Sequence, residues 1–134
     1  MRKKRSFFVR ILKWAGISLL VMISLGALFG TLGLKETLAL PIDAVDLGSI
    51  PDGAYTGIYD CYRWTSEVNV TVKGHAITGI AVVKGQSDRD DIRQQLIDRV
   101  LQAQTPAVDA VSGATADSKA FLKAVENALV NAGK

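Results

Sequence analysis

The residues best placed to do chemistry form one short string, Asp109-Ala110-Val111-Ser112-Gly113-Ala114-Thr115. It runs straight into a helical pattern from Ala116 to Val130. The first N–H groups of a helix have no partner inside it, and the helix dipole makes that end positive. A small, hydroxyl-bearing, glycine-containing turn that opens a helix therefore suits a phosphate. Thr115 brings an alcohol oxygen to that point. Ser112 and the first N–H groups of the helix can hydrogen-bond phosphate oxygens, and Gly113 lets the backbone come close without a Cβ. The plainer alternative is structural. Thr115 then caps the helix through its own hydroxyl, with Asp117 and Ser118 in the first turn and Ser112 and Gly113 as ordinary turn residues.

The string Asp-x-x-Ser-Gly-Ala-Thr-x-x-Ser, carried by Asp109, Ser112, Gly113, Ala114, Thr115 and Ser118, resembles the flavinylation motif of the FMN-binding domain family. That family includes the covalent-flavin subunits of sodium-pumping NADH:quinone reductases and of Rnf-type membrane complexes. The resemblance implies that Thr115 carries FMN through a phosphoester bond, installed from FAD by a separate flavin transferase with magnesium. Asp109 fits a phosphate contact poorly, because like charges repel. It is better suited to fixing the loop by accepting backbone N–H bonds, or to recognition by the transferase, and Ser118 can do either. The order of elements from Asp-Gly-x-Tyr-x-Gly (Asp52, Gly53, Tyr55, Gly57) to the last helix is also similar to that family's whole domain. The resemblance covers roughly residues 51–132.

The elements that must position this string can be read from periodicity. Pro51-Asp52-Gly53 is a turn signal, and Ala54 to Cys61 reads as a strand. Arg63 to Lys73 alternates, with Val68, Val70 and Val72 on one face and Asn69, Thr71 and Lys73 on the other. Gly74-His75 makes a tight turn into a strand from Ala76 to Val83, which pairs with it as a hairpin. In that strand Ile80 and Val82 share one face, and Ile77, Ala81 and Val83 the other. A helix follows from about Asp90 to Gln104, with Ile92, Leu96, Val100 and Ala103 as its apolar stripe, widened by Ile97 and Leu101. Pro106 enforces its end. The last helix buries Phe121, Leu122, Val125, Ala128 and Leu129, and Gly133 ends it. The expected fold is α+β: a small antiparallel sheet packed with two helices, preceded by one transmembrane helix.

The N-terminus reads differently. Of the sixteen Lys and Arg in the 134-residue chain, six fall in the first thirteen residues: Arg2, Lys3, Lys4, Arg5, Arg10 and Lys13. From Trp14 to Leu34 no residue is charged. At about 1.5 Å rise per residue this stretch spans roughly 30 Å, the thickness of a bilayer core. A cleavable signal peptide has a shorter apolar region and a small-residue cleavage site. The segment therefore reads as an uncleaved signal anchor, with the basic tail in the cytoplasm and the C-terminal domain outside. The expected organisation is a basic tail over 1–13, an anchor over 14–34, a linker over 35–50 containing Pro41, and an FMN-binding domain over 51–134.

Charge excludes one class of partner. The net charge of +3 falls to −3 once the tail is set aside, ten basic against thirteen acidic residues. The basicity belongs to a membrane-facing tail and not to a nucleic-acid surface. The single cysteine, Cys61, cannot make an internal disulfide or hold an iron–sulfur cluster, and its surroundings suggest a buried, inert thiol. No metal site is expected. Tyr62 and Trp64, at the start of the second strand, share a face and could cover a flavin ring, although core or rim positions suit them as well. Arg63 reads as a solvated charge, and His75, the only histidine, as an exposed turn residue without a partner.

The sequence thus points to a membrane-anchored, extracytoplasmic electron carrier with covalent FMN and an unidentified electron donor and acceptor. An electron carrier suits so small a domain better than an enzyme with its own substrate. Two other readings stand beside it: a non-redox, membrane-tethered binding or assembly module in which the motif is only a helix cap, and a flavin reductase completed by a separate partner.

Overall fold

A computed structural model of the protein describes residues 2–85 and 87–134. The chain separates into two compact units, Met1–Leu32 and Gly33–Lys134.

The first unit is helix α1, Arg2–Thr31. Its residues from Ser6 to Phe29 are exposed, and the helix is long and apolar enough to cross a membrane.

The second unit is an α+β domain built on a three-stranded antiparallel sheet in the order β1 (Gly53–Tyr59), β2 (Ser66–Lys73) and β3 (Ala76–Lys84). Strand β1 pairs with β2 from Gly53↔Val72 to Tyr59↔Ser66. The β2–β3 hairpin closes through Gly74 (φ +59°) and His75 (φ +60°). Both residues sit at positive φ, as a two-residue hairpin turn that matches strand twist demands. His75 is exposed, but it is not unpartnered, because its Nδ1 lies 3.3 Å from the Leu47 carbonyl oxygen.

The valines of β2 are buried as the alternation predicts: Val68, Val70 and Val72 are all at 1% exposure or less. The face assignment of β3 needs a correction. Ile77 pairs with Val72, Gly79 with Thr71 and Ile80 with Val70, with a register shift between the first two pairs. Thr78 is the extra residue of this bulge. It moves Ile77 to the same side as Ile80, so Ile77 is buried and Ile80 packs on the same core, while Val83 is exposed.

Helix α2 is short, Leu34–Leu38. Helix α3 runs Asp90–Ala103 and α4 runs Thr115–Ala132. Leu96 and Val100 of α3 meet Phe121, Leu122, Val125, Ala128 and Leu129 of α4 and the β2 valines in one core. Ala103 is exposed, because α3 ends there and Gln104 turns left-handed at φ 56°. The Gln104 side chain then pins this end to the sheet, accepting from Ile77 N at 2.7 Å and donating to Ile77 O at 3.0 Å.

The segment 35–50, expected as a linker, is docked on the domain. Thr37 is fully buried and its hydroxyl shares a 3.0 Å hydrogen bond with Tyr59 Oη. Ile50 joins the core, and Ile42, Val45 and Leu47 pack against it. Two lysines of α4 hold the backbone here: Lys119 donates to Leu40 O at 2.8 Å and Lys123 to Pro41 O at 3.2 Å. Asp43 N donates to the buried Glu126 carboxylate at 3.2 Å.

Candidate functional site

The Ser-Gly-Ala-Thr string forms a tight turn followed at once by α4. Ala114 N donates to Val111 O at 3.0 Å, closing a four-residue turn. Gly113 is its third residue, at φ +80°. A residue with a Cβ is strained at that angle, so the turn itself asks for glycine here. A Cβ added to Gly113 would meet open space on the chain's own side.

Ser118 holds this turn in place. It is fully buried; its Oγ accepts from Val111 N at 3.0 Å and donates to Ala114 O at 2.8 Å. It therefore bonds both ends of the turn at once. On the outer side, Arg99 donates to the carbonyl oxygens of Asp109 at 2.8 Å and Ala110 at 3.4 Å. Asp109 and Ser112 are exposed, and neither side chain has a hydrogen bond or ion pair among the described residues. Both line an open cleft with Arg99, on one side of the turn.

Thr115 is the first residue of α4 and is exposed. The capping position belongs to Ala114, and no side chain caps the helix. The alternative in which the Thr115 hydroxyl caps its own helix is therefore not met: it stands one residue inside, free of any hydrogen bond among the described residues. The backbone N–H groups of Thr115, Ala116 and Asp117 likewise have no partner there, because the first bond of the helix is Ser118 N to Ala114 O at 2.9 Å.

These atoms face a cleft of about 340 Å³. Gly113 to Asp117 form one wall, and Leu34, Leu38, Trp64 and Arg89 complete it. Sequence reasoning missed Leu34, Leu38 and Arg89. Arg89 lies 26 positions before Thr115 and Leu34 lies 81 before it, so no local pattern links them to the motif. Arg89 reaches α4 through Asp117, at 3.8 Å.

The structure also corrects the aromatic pair. Tyr62 and Trp64 precede β2 and are not strand neighbours. Tyr62 sits at φ 54° and is 63% exposed, outside the cleft, whereas Trp64 is half-buried and lines it. Arg63 is exposed and stacks on the Trp64 ring, 4.7 Å from its centroid. Cys61 is buried as expected, at the bend after β1. Beside it, burial is the main cause that pushes the Tyr59 hydroxyl above its ordinary pKa.

A phosphate ester fits this arrangement. A positive helix end with N–H groups unpaired among the described residues, the Asp117-paired Arg89 and the exposed Thr115 line one cleft, which has the volume of a small-molecule site. Comparison with known families gives the same direction: the profile of the FMN-binding domain family matches residues 62–130. The chain belongs to the FMN-binding domain family. The matched stretch runs from the turn before β2 through most of α4, so it contains Trp64, Arg89 and the whole Asp109–Ser118 motif. Strand β1, with Gly53, Tyr55 and Gly57, lies before it. None of the curated proteins compared with the chain matches it. Membership in the family supports FMN as the cofactor.

Proposed function

We propose that this protein is a membrane-anchored flavoprotein whose FMN is phosphoester-linked to Thr115 and acts as an electron-transfer relay. The observation that carries the reading is the state of Thr115. Its hydroxyl is exposed on an uncapped helix start, at the lip of a cleft, in a chain of the FMN-binding domain family. The competing module, in which the motif serves only as a helix cap, needs a capping side chain, and α4 has none.

Each residue has a task in this reading. Thr115 Oγ takes the FMN phosphoryl group from FAD on a flavin transferase. The phosphoanhydride bond of FAD breaks, AMP leaves, and the hydroxyl proton goes to solvent. The N–H groups of Ala116 and Asp117 would bind the phosphodiester, and Arg89, paired with Asp117, would offset its charge. Gly113 and Ser118 keep the turn in the shape that presents Thr115. Asp109 and Ser112, exposed on the far side of the turn, are placed to be read by the transferase. Leu34, Leu38 and the Trp64 ring give the cleft apolar surface. Flavin, when bound, supplies both one- and two-electron transfer. A covalent bond would keep it from diffusing away on the outer side of a membrane, the side that a cytoplasmic basic tail supports for the domain. The electron donor and acceptor are separate partners.

The test is a denaturing gel of full-length protein coexpressed with a flavin transferase, viewed for flavin fluorescence. The wild-type band is expected to fluoresce and the Thr115→Ala band to be dark. A dark wild-type band, with the transferase active on a control substrate, would overturn the covalent-carrier reading.

A further inference from the structure

Two buried polar side-chain atoms have no hydrogen-bond partner among the described residues: Trp64 Nε1 and Ser66 Oγ. Ser66 is only 4% exposed. Both residues line one small, partly open cavity of about 20 Å³, together with Arg63, Arg93, Ile92, Leu96 and Phe121. Buried polar groups in folded proteins are almost always satisfied, so two orphans on one cavity point to an occupant that the described residues do not supply.

The chemistry of that occupant is constrained. An indole N–H only donates, and a serine hydroxyl can donate to the same acceptor. Arg89 also reaches the cavity wall. A single water needs about 10–15 Å³ of such space. The cavity therefore holds one oxygen atom and is far too small for a ring. It shares Trp64, Arg89 and Asp117 with the Thr115 cleft, so a ligand that fills the cleft lies against the cavity. Leu34 and Leu38 line the cleft but not the cavity. The cavity side carries the two unsatisfied donors Trp64 Nε1 and Ser66 Oγ, and the α2 side of the cleft is apolar.

We infer that the cavity seats one carbonyl oxygen of the flavin's pyrimidine edge, accepting hydrogen bonds from Trp64 Nε1 and Ser66 Oγ. This rests on FMN occupying the Thr115 cleft. The isoalloxazine ring has the matching asymmetry: two carbonyls at one edge and two methyl groups at the other. The dimethylbenzene edge cannot satisfy two donors, so the ring enters pyrimidine edge first and leaves its methyl edge toward Leu34, Leu38 and the cleft mouth. An electron partner would then meet the methyl edge.

Infrared spectroscopy of the flavin-loaded, full-length protein tests this, with FMN ¹³C-labelled at C2 and at C4 to assign the carbonyl bands. In the wild type, one carbonyl stretch is expected to depart from its position in aqueous FMN. Trp64→Phe and Ser66→Ala are each expected to raise the frequency of that same band. Ser66→Ala removes a single hydroxyl, so it stands in if Trp64→Phe loads poorly. Wild-type carbonyl bands at their aqueous positions, or bands unmoved in variants whose gel bands still fluoresce, would overturn the inference and leave the cavity to water. A dark wild-type gel band is a different failure, one that removes the carrier reading itself.

Discussion

At the scale of single residues, Thr115 needs a neighbour to keep it presented, and that neighbour is Ser118. The hydroxyl of Ser118 takes the Val111 N–H and gives its own proton to Ala114 O, in a fully buried position. Without it, the Val111 N–H loses its partner beneath the turn. A buried donor left unsatisfied costs about 1–3 kcal/mol. Ser118→Ala should lower the urea midpoint of the flavin-free protein accordingly, and should reduce flavin loading although Thr115 is intact. An unchanged midpoint would show that the turn does not depend on this hydroxyl. Thr115 is the acceptor that the family resemblance implies, and its place at the start of the last helix was legible in the sequence. The role of Ser118 was legible only as one of two options, since sequence does not show which way a first-turn serine points. Trp64 was likewise legible only as one of two options, whereas Leu34, Leu38 and Arg89 were not assignable to the cleft at all, because their approach to Thr115 is made by tertiary packing and leaves no local trace.

At the scale of elements, the site depends on how closely α4 lies on the sheet. Gly57 of β1 sets that distance. A Cβ there would overlap the Ala124 carbonyl oxygen and the Ala128 backbone nitrogen, and would lie 2.8 Å from Ala128 Cβ. The obstruction is mostly backbone, so no side-chain rotation relieves it. Gly57→Ala should therefore destabilise the domain by about 2–3 kcal/mol, measured by urea unfolding, with α4 lifted from β1. If the variant unfolds like wild type, the close packing of α4 on β1 is not what holds the two together. The strong alternation in β2 and the apolar stripe of α4 made these elements readable from sequence, because each has one fully buried face. The reading failed where tertiary context decides. The bulge at Thr78 reverses the face of Ile77 without altering residue types. Residues 35–50 show no period because they dock through single anchors such as Thr37 and Ile50, and through lysines of α4 more than 70 positions away.

At the scale of the whole molecule, the proposed function depends on which side of the membrane the Thr115 cleft faces. Six basic residues precede the apolar segment and no acidic residue appears before Glu36. Positive charge beside a membrane span is retained in the cytoplasm. A C-terminal alkaline phosphatase fusion, active only outside the cytoplasm, should therefore be active, and a fluorescent protein at the same position that folds only in the cytoplasm should be dark. Replacing Arg2, Lys3, Lys4, Arg5, Arg10 and Lys13 by Gln removes the bias and should yield mixed orientation, with phosphatase activity falling. The reverse pattern in the unmodified protein would place the cleft in the cytoplasm and remove the reason for anchoring the cofactor covalently. The same cells decide whether α1 stays attached: an anchor leaves full-length protein in the membrane after an alkaline carbonate wash, and a cleaved signal peptide leaves a shorter, soluble one. In the proposed reading only the anchored form would keep the flavin at the bilayer, within reach of a membrane-bound electron donor.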